Sequence, residues 1–218
     1  MVRSSPVGTV VGGVVLAALL LTGCGPDDDG AAASPSSTAS SAAASSSEPG
    51  PDATPADYVP ASLDGPAQNV PKPVMPDLAK EESRDGAQAF LDYWSDAKWY
   101  AYQTGDTSYA RDIINDNCEV CLDELDEIEK LYESSAWAVD GRETIKMRED
   151  GFVRASDGIY KPVVASVYDG IKIVDSGEIV HEEPSKNDSE DVFLIYMDYA
   201  EGAWTYITAA PLPGSESK

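Results

Sequence analysis

The sequence predicts an α+β fold in which helices come first and an antiparallel sheet second. Two changes along the chain carry this reading: apolar residues recur at three- and four-residue intervals from Glu82 to about Ala136, and they alternate from Asp140 onward. Asp-Gly and Ser-Gly pairs punctuate the alternating half, as turns between antiparallel strands do.

The first predicted helix runs from Glu82 to Thr104, where Ala87, Phe90, Leu91, Trp94, Ala97 and Ala101 form one stripe that Tyr93 and Tyr100 widen. Gly105 can take the left-handed conformation that closes it, and Asp106 can cap a short second helix through Ile113 and Ile114. A third helix spans about Glu119 to Ala136. Leu122, Leu125, Leu131 and Tyr132 mark its apolar face, and Asp123, Glu124, Asp126, Glu127 and Lys130 its opposite face. The strands follow. "ETIKMRED" and "GFVRAS", around Asp150-Gly151, read as a hairpin or a broken strand; "KPVVASVYDG" and "IKIVDSGEIVHE" add further strands. "DVFLIYMDY" and "AWTYITAAP" close the domain as a hairpin over Ala200-Glu201-Gly202. The first of these is apolar on both faces, which predicts a central strand.

Ahead of this domain the chain has a different character. Arg3 precedes an apolar run from Val7 to Leu21, the layout of a secretory signal and rather short for a membrane span, which needs about 20 apolar residues. Leu21-Thr22-Gly23-Cys24 resembles the lipobox of bacterial lipoproteins. That resemblance implies cleavage before Cys24, a diacylglycerol on its thiol, and anchoring at the extracytoplasmic face of a cell membrane. Two acyl chains hold stably where one is marginal. From Cys24 to residue 81 the chain is rich in Ala, Ser, Pro, Thr and Asp, with Tyr58 the one aromatic, so it reads as a disordered tether. The expected organisation is therefore signal peptide 1–23, tether 24–81, folded domain 82–212 and disordered tail 213–218.

The charge narrows the partners. Fifteen Lys and Arg stand against 39 Asp and Glu, for a net charge of −24, and residues 82–212 carry 11 basic against 29 acidic side chains. Such a surface repels nucleic acid and anionic lipid; it fits a cationic ligand or a basic protein patch, and equally an acidity that only keeps an exported domain soluble.

The order "AFLDYW", "YAYQTGD", "CEVCLDELDEI" and then a strand-rich half resembles a domain of unknown function found in actinobacterial lipoproteins. That arrangement is in turn similar to the nuclear transport factor 2-like cone. The resemblance implies three N-terminal helices packed in the hollow of one curved antiparallel sheet, often with a pocket, and it brings no catalytic residues.

Three constellations bear on chemistry. Cys118 and Cys121, separated by two residues at a helix start, read as a structural disulfide in an exported protein; redox chemistry is disfavoured because Asp116, Glu119, Asp123 and Glu124 would oppose a thiolate. Free thiols or a metal are the other readings, but with His181 the single histidine a zinc site is poorly supplied, and no metal or cofactor is expected. Aromatic residues crowd the first helix, and Tyr93, Trp94 and Tyr196 are the candidates to line a ligand pocket, with plain core packing as the alternative. Asp92 and Asp96 could serve as a pocket base beside a tyrosine, yet they lie off the apolar stripe where solvated carboxylates belong. Neither a Gly-x-Ser-x-Gly elbow nor a His-Glu-x-x-His pair occurs.

The expectation is thus a lipid-anchored envelope protein with a binding or interaction module for an envelope protein or apolar small molecule. An enzyme using a pocket carboxylate and tyrosine, or an accessory subunit of an envelope complex, are the alternatives.

Overall fold

The computed structural model describes residues 57–148, 152–186 and 192–214. Cys24, the signal and most of the predicted tether lie outside the described residues, as does most of the C-terminal tail.

Helix α1 (Arg84–Thr104) starts where Ser83 accepts the Gly86 N–H at 3.0 Å and stops at Gly105, whose φ of 77° turns the backbone left-handed. A β-carbon at 105 would stand 2.7 Å from Tyr132 Cγ, so the stop needs glycine for space as well as for conformation. Helix α2 (Ser108–Arg111) is a single turn, with Asp106 Oδ1 accepting the Ser108 N–H. Helix α3 (Glu119–Glu133) follows, ending three residues before the predicted Ala136.

Seven strands complete the fold among the described residues: β1 (Trp137–Asp140), β2 (Glu143–Met147), β3 (Val163–Tyr168), β4 (Ile171–Asp175), β5 (Glu178–Glu183), β6 (Val192–Ala200) and β7 (Ala203–Pro211). They form two antiparallel sheets, in the orders β1-β4-β5 and β2-β3-β6-β7. This corrects the expected fold, because three helices on one curved sheet, the cone, is not the arrangement present. The backbone supplies the reason. Asp140, Gly141 and Gly170 adopt φ of 66°, 82° and 81°, which interrupts the extended conformation between β1 and β2 and between β3 and β4. At this corner the Gly141 N–H donates to Gly170 O and the Asp169 N–H to Arg142 O, between the strand pairs Asp140↔Ile171 and Glu143↔Tyr168.

Strand β6 is interior, pairing with β3 and β7, as its two apolar faces predict. The "GFVRAS" stretch is not the partner of β2, whose register runs with β3 from Glu143↔Tyr168 to Met147↔Val164. Phe152 instead stacks on Tyr160, with ring centroids 4.8 Å apart.

The core lies between α1, α3 and the four-stranded sheet. Phe90, Leu91, Ala97 and Ala101 of α1 meet Leu125 and Ile128 of α3 and Ile145, Val164, Ile195 and Met197 of the strands. Each such large side chain contributes about 1.5–3 kcal/mol when fully withdrawn from water.

The start of the domain also moves. Residues 57–81, assigned to the tether from their composition, make specific contacts: Val59 pairs with Gln68 through two 2.9 Å bonds, and the Trp137 indole N–H donates to Ser62 O at 2.8 Å. The Tyr58 ring meets Trp99 edge-on at 5.9 Å, and Trp204 Nε1 donates to Glu81 O. Composition missed this because the partners sit some 40 to 120 residues further along the chain, and the segment borrows order from aromatic side chains of the body.

Candidate functional site

Helix α1 projects Lys98 from the middle of its apolar stripe, one turn beyond Trp94 and one turn before Tyr102. Helix α3 brings Glu124 beside it, and β2 brings Glu143. The Lys98 ammonium lies 3.0 Å from Glu124 Oε1 and 3.5 Å from Glu143 Oε2, and the Tyr102 hydroxyl donates to Glu124 Oε1 at 2.9 Å. Only 16% of the Lys98 side chain is exposed.

Three neighbouring cavities share these walls. The first, about 300 Å³, is bordered by Lys98, Tyr102, Glu124, Glu143, Tyr168 and Glu183, together with Gly141 and Lys186. A second, about 240 Å³, extends past Tyr168 and Glu183 to Ile128, Leu131, Ile171 and His181. The third, about 200 Å³, opens on the other side of Lys98 against Trp94, Ile145, Phe193 and Tyr206. The cleft therefore has a charged end and an aromatic end with an ion-paired lysine between them.

Protonation states inside it are fixed. Burial alone would lower the Lys98 pKa, but the Glu124 and Glu143 carboxylates outweigh it and hold the ammonium above its ordinary value. For Glu124, burial would raise the pKa, and the charge of Lys98 with hydrogen bonds from Lys98 and Tyr102 brings it below the usual carboxylate value. Burial, helped by nearby Glu124, raises Tyr102; burial, then Glu183, pushes Tyr168 up to about 12. Burial likewise raises Tyr206. The tyrosines are phenols, the lysine a cation and Glu124 an anion across the neutral range.

Of the residues singled out from the sequence, Trp94 alone of the three pocket candidates borders the cleft, stacked on Tyr206 at 4.7 Å between ring centroids. Tyr93 is buried in the core, and Tyr196 faces the other side of β6, with Lys161 Nζ 5.4 Å from its ring. The three are not brought together, since the consecutive side chains Tyr93 and Trp94 diverge by about 100° on α1 and Tyr196 points opposite to Ile195 and Met197. Asp92 and Asp96 lie outside the cleft, paired with Lys146 at 3.0 Å and Arg142 at 2.5 Å. Cys118 and Cys121 form a disulfide across the first turn of α3, and Cys121 borders the aromatic end of the cleft. Among the described residues no group of His, Cys, Asp and Glu could hold a metal.

Glu124 is the residue the sequence reading misplaced, on the solvent side of α3. It stands three residues after buried Cys121 and four before buried Ile128, and that spacing puts it at the edge of the packed face. Lys98 carried a plainer signal, being seven residues after Leu91 on the stripe of α1.

No described helix is long and apolar enough to cross a membrane. Neither a curated protein nor a solved structure matches this chain. A family model does, over residues 56–210, and its start coincides with the order seen from residue 57. By that match the chain belongs to the family of unknown function DUF6318.

Proposed function

We propose that this protein is exported and lipid-anchored through Cys24 at the extracytoplasmic face of a cell membrane, and that its domain binds a small molecule in the cleft between α1, α3 and the sheets. The observation that carries the binding reading is the Tyr206 hydroxyl. It belongs to a residue only 6% exposed that borders the cleft beside Trp94, Lys98 and Glu143, and its oxygen is not sealed in the core but open to the cavity. A hydroxyl presented to a cavity from an otherwise aromatic wall can exchange a hydrogen bond to water for one to a guest, which suits the cleft to binding.

Catalysis fits the site less well. A general acid or base works best with a pKa near the operating pH, whereas Glu124 is held low and Lys98 high, away from neutrality on opposite sides. Fixed charges and phenols bind and orient.

The anchor reading rests on the sequence around Cys24. Replacing Cys24 with Ser releases the protein to the soluble fraction if the reading is right; continued detergent-dependent partitioning contradicts it. For the cleft, native mass spectrometry of the protein purified from its own membranes reports a bound small molecule, and Ala209→Trp, at an exposed residue on the cleft rim, abolishes that adduct. An adduct that survives the blocking substitution places the guest elsewhere and sinks the binding reading.

A further inference from the structure

We infer that the ligand of this cleft is an organic cation, a primary or substituted amine carried on a compact aromatic or aliphatic body; the inference rests on the binding reading above and names its ligand class. Four carboxylates, Glu124, Glu127, Glu143 and Glu183, border the first two cavities against two ammonium groups, Lys98 and Lys186. Lys98 is no free anion receptor. Its charge is already engaged by Glu124 at 3.0 Å and Glu143 at 3.5 Å. Glu143 meets Lys98 through Oε2 and has no other side-chain partner among the described residues, so Oε1 is left to accept a further donor. A carboxylate guest would have to enter against this excess, in a domain that carries 29 acidic against 11 basic side chains over residues 82–212.

The opposite end fixes the other half of the ligand. Trp94 and Tyr206, stacked at 4.7 Å, stand with Phe193 and Ile145 around the third cavity, offering π-faces and apolar area a few ångströms from the carboxylates. Lys98 lies 5.6 Å from the Trp94 ring centroid, so this indole already accommodates a cation at its face. An ammonium at the charged end with its carbon body at the aromatic end satisfies Glu143 and covers the rings, and an amine or hydroxyl substituent meets the Tyr206 hydroxyl.

The test uses three probes of matched size: phenethylamine, 3-phenylpropionate and 3-phenylpropan-1-ol. Binding is read by calorimetry and by amide shifts along α1, α3 and β7 in two-dimensional NMR spectra of the exported domain with its N-terminal segment intact. Phenethylamine is expected to bind and shift residues around Trp94 and Tyr206, with the other two at least tenfold weaker. Glu143→Gln is expected to weaken the amine about tenfold, as loss of one charge-assisted hydrogen bond does, while Tyr206→Phe gives a smaller loss with the spectrum otherwise unchanged. Should Glu143→Gln fail to fold, the Tyr206→Phe result and the three-probe ranking still decide. Equal or tighter binding of the carboxylate or the alcohol at the same residues overturns the cation assignment and leaves the cleft standing. Absence of cleft shifts with all three probes overturns both.

Discussion

Replacing Lys98 with Met removes the cation that holds two carboxylates at the centre of the cleft. Breaking a fully buried pair costs about 3–5 kcal/mol, and an exposed pair is worth about 0.2–1 kcal/mol. Lys98, Glu124 and Glu143 are 16%, 34% and 23% exposed at their side chains, which places the triad between these limits. The expected loss is about 2 kcal/mol at neutral pH, or about 4–8 °C in Tm for a domain of this size. The pH dependence adds a sharper requirement. With Lys98 present, the Glu124 pKa is lowered, so its contribution is present above its unfolded value of 4.5 and fades as pH falls. Without Lys98, burial is the larger influence and raises the Glu124 pKa, so the charged carboxylate opposes folding at pH 7 and acid relieves it. The gap between wild type and Lys98→Met therefore narrows from pH 7 to pH 5, and Glu124→Gln added to Lys98→Met recovers part of the loss. Urea unfolding followed by tryptophan fluorescence measures both. A variant as stable as wild type, or a gap that is constant with pH, refutes the account of the triad.

Leu125→Ala, at a residue 0% exposed beneath α3, is expected to lower stability by about 2–5 kcal/mol in the same unfolding assay; a loss below 1 kcal/mol would place Leu125 outside the core. Gly105→Ala should cost about 1–3 kcal/mol, because φ is 77° and the new methyl meets the Tyr132 ring, and an unchanged melting temperature would contradict the helix stop. The Cys118–Cys121 bridge closes a loop with a sequence separation of only three, so its reduction should cost on the order of 2 kcal/mol or less; non-reducing peptide mapping that finds two free thiols would rule the bridge out.

What could be read from the sequence was local. The stripe of α1, its glycine stop and the hairpin of β6 and β7 are each written in a window of about twenty residues, so period and turn chemistry suffice. The division into two sheets was not legible. It depends on Asp140-Gly141 meeting Asp169-Gly170, two turn signals whose partnership across some thirty residues neither window contains. The cleft failed to emerge for a related reason: Lys98 and Glu124 look like ordinary surface charges of two helices until the pairing of those helices places them 3.0 Å apart. Tyr93 and Trp94 both read as inward-facing aromatics of the first helix, and both are buried, but a helix rotates consecutive residues by about 100°, so Trp94 reaches the cleft while Tyr93 packs in the core.

The corner where Gly141 faces Gly170 has a bearing on how relatives of this chain can diverge. A β-carbon at position 170 would stand 2.8 Å from the Glu183 carbonyl oxygen, and Gly141 itself borders the charged end of the cleft, so the outline of the vessel is drawn there by main chain. Its lining is drawn by Tyr168, His181, Glu183 and Glu143, none of which shapes that bend. On the binding reading proposed above, preference among ligands would drift by exchange of those four while the container keeps its form, and a relative that loses either glycine would have to rebuild the container first.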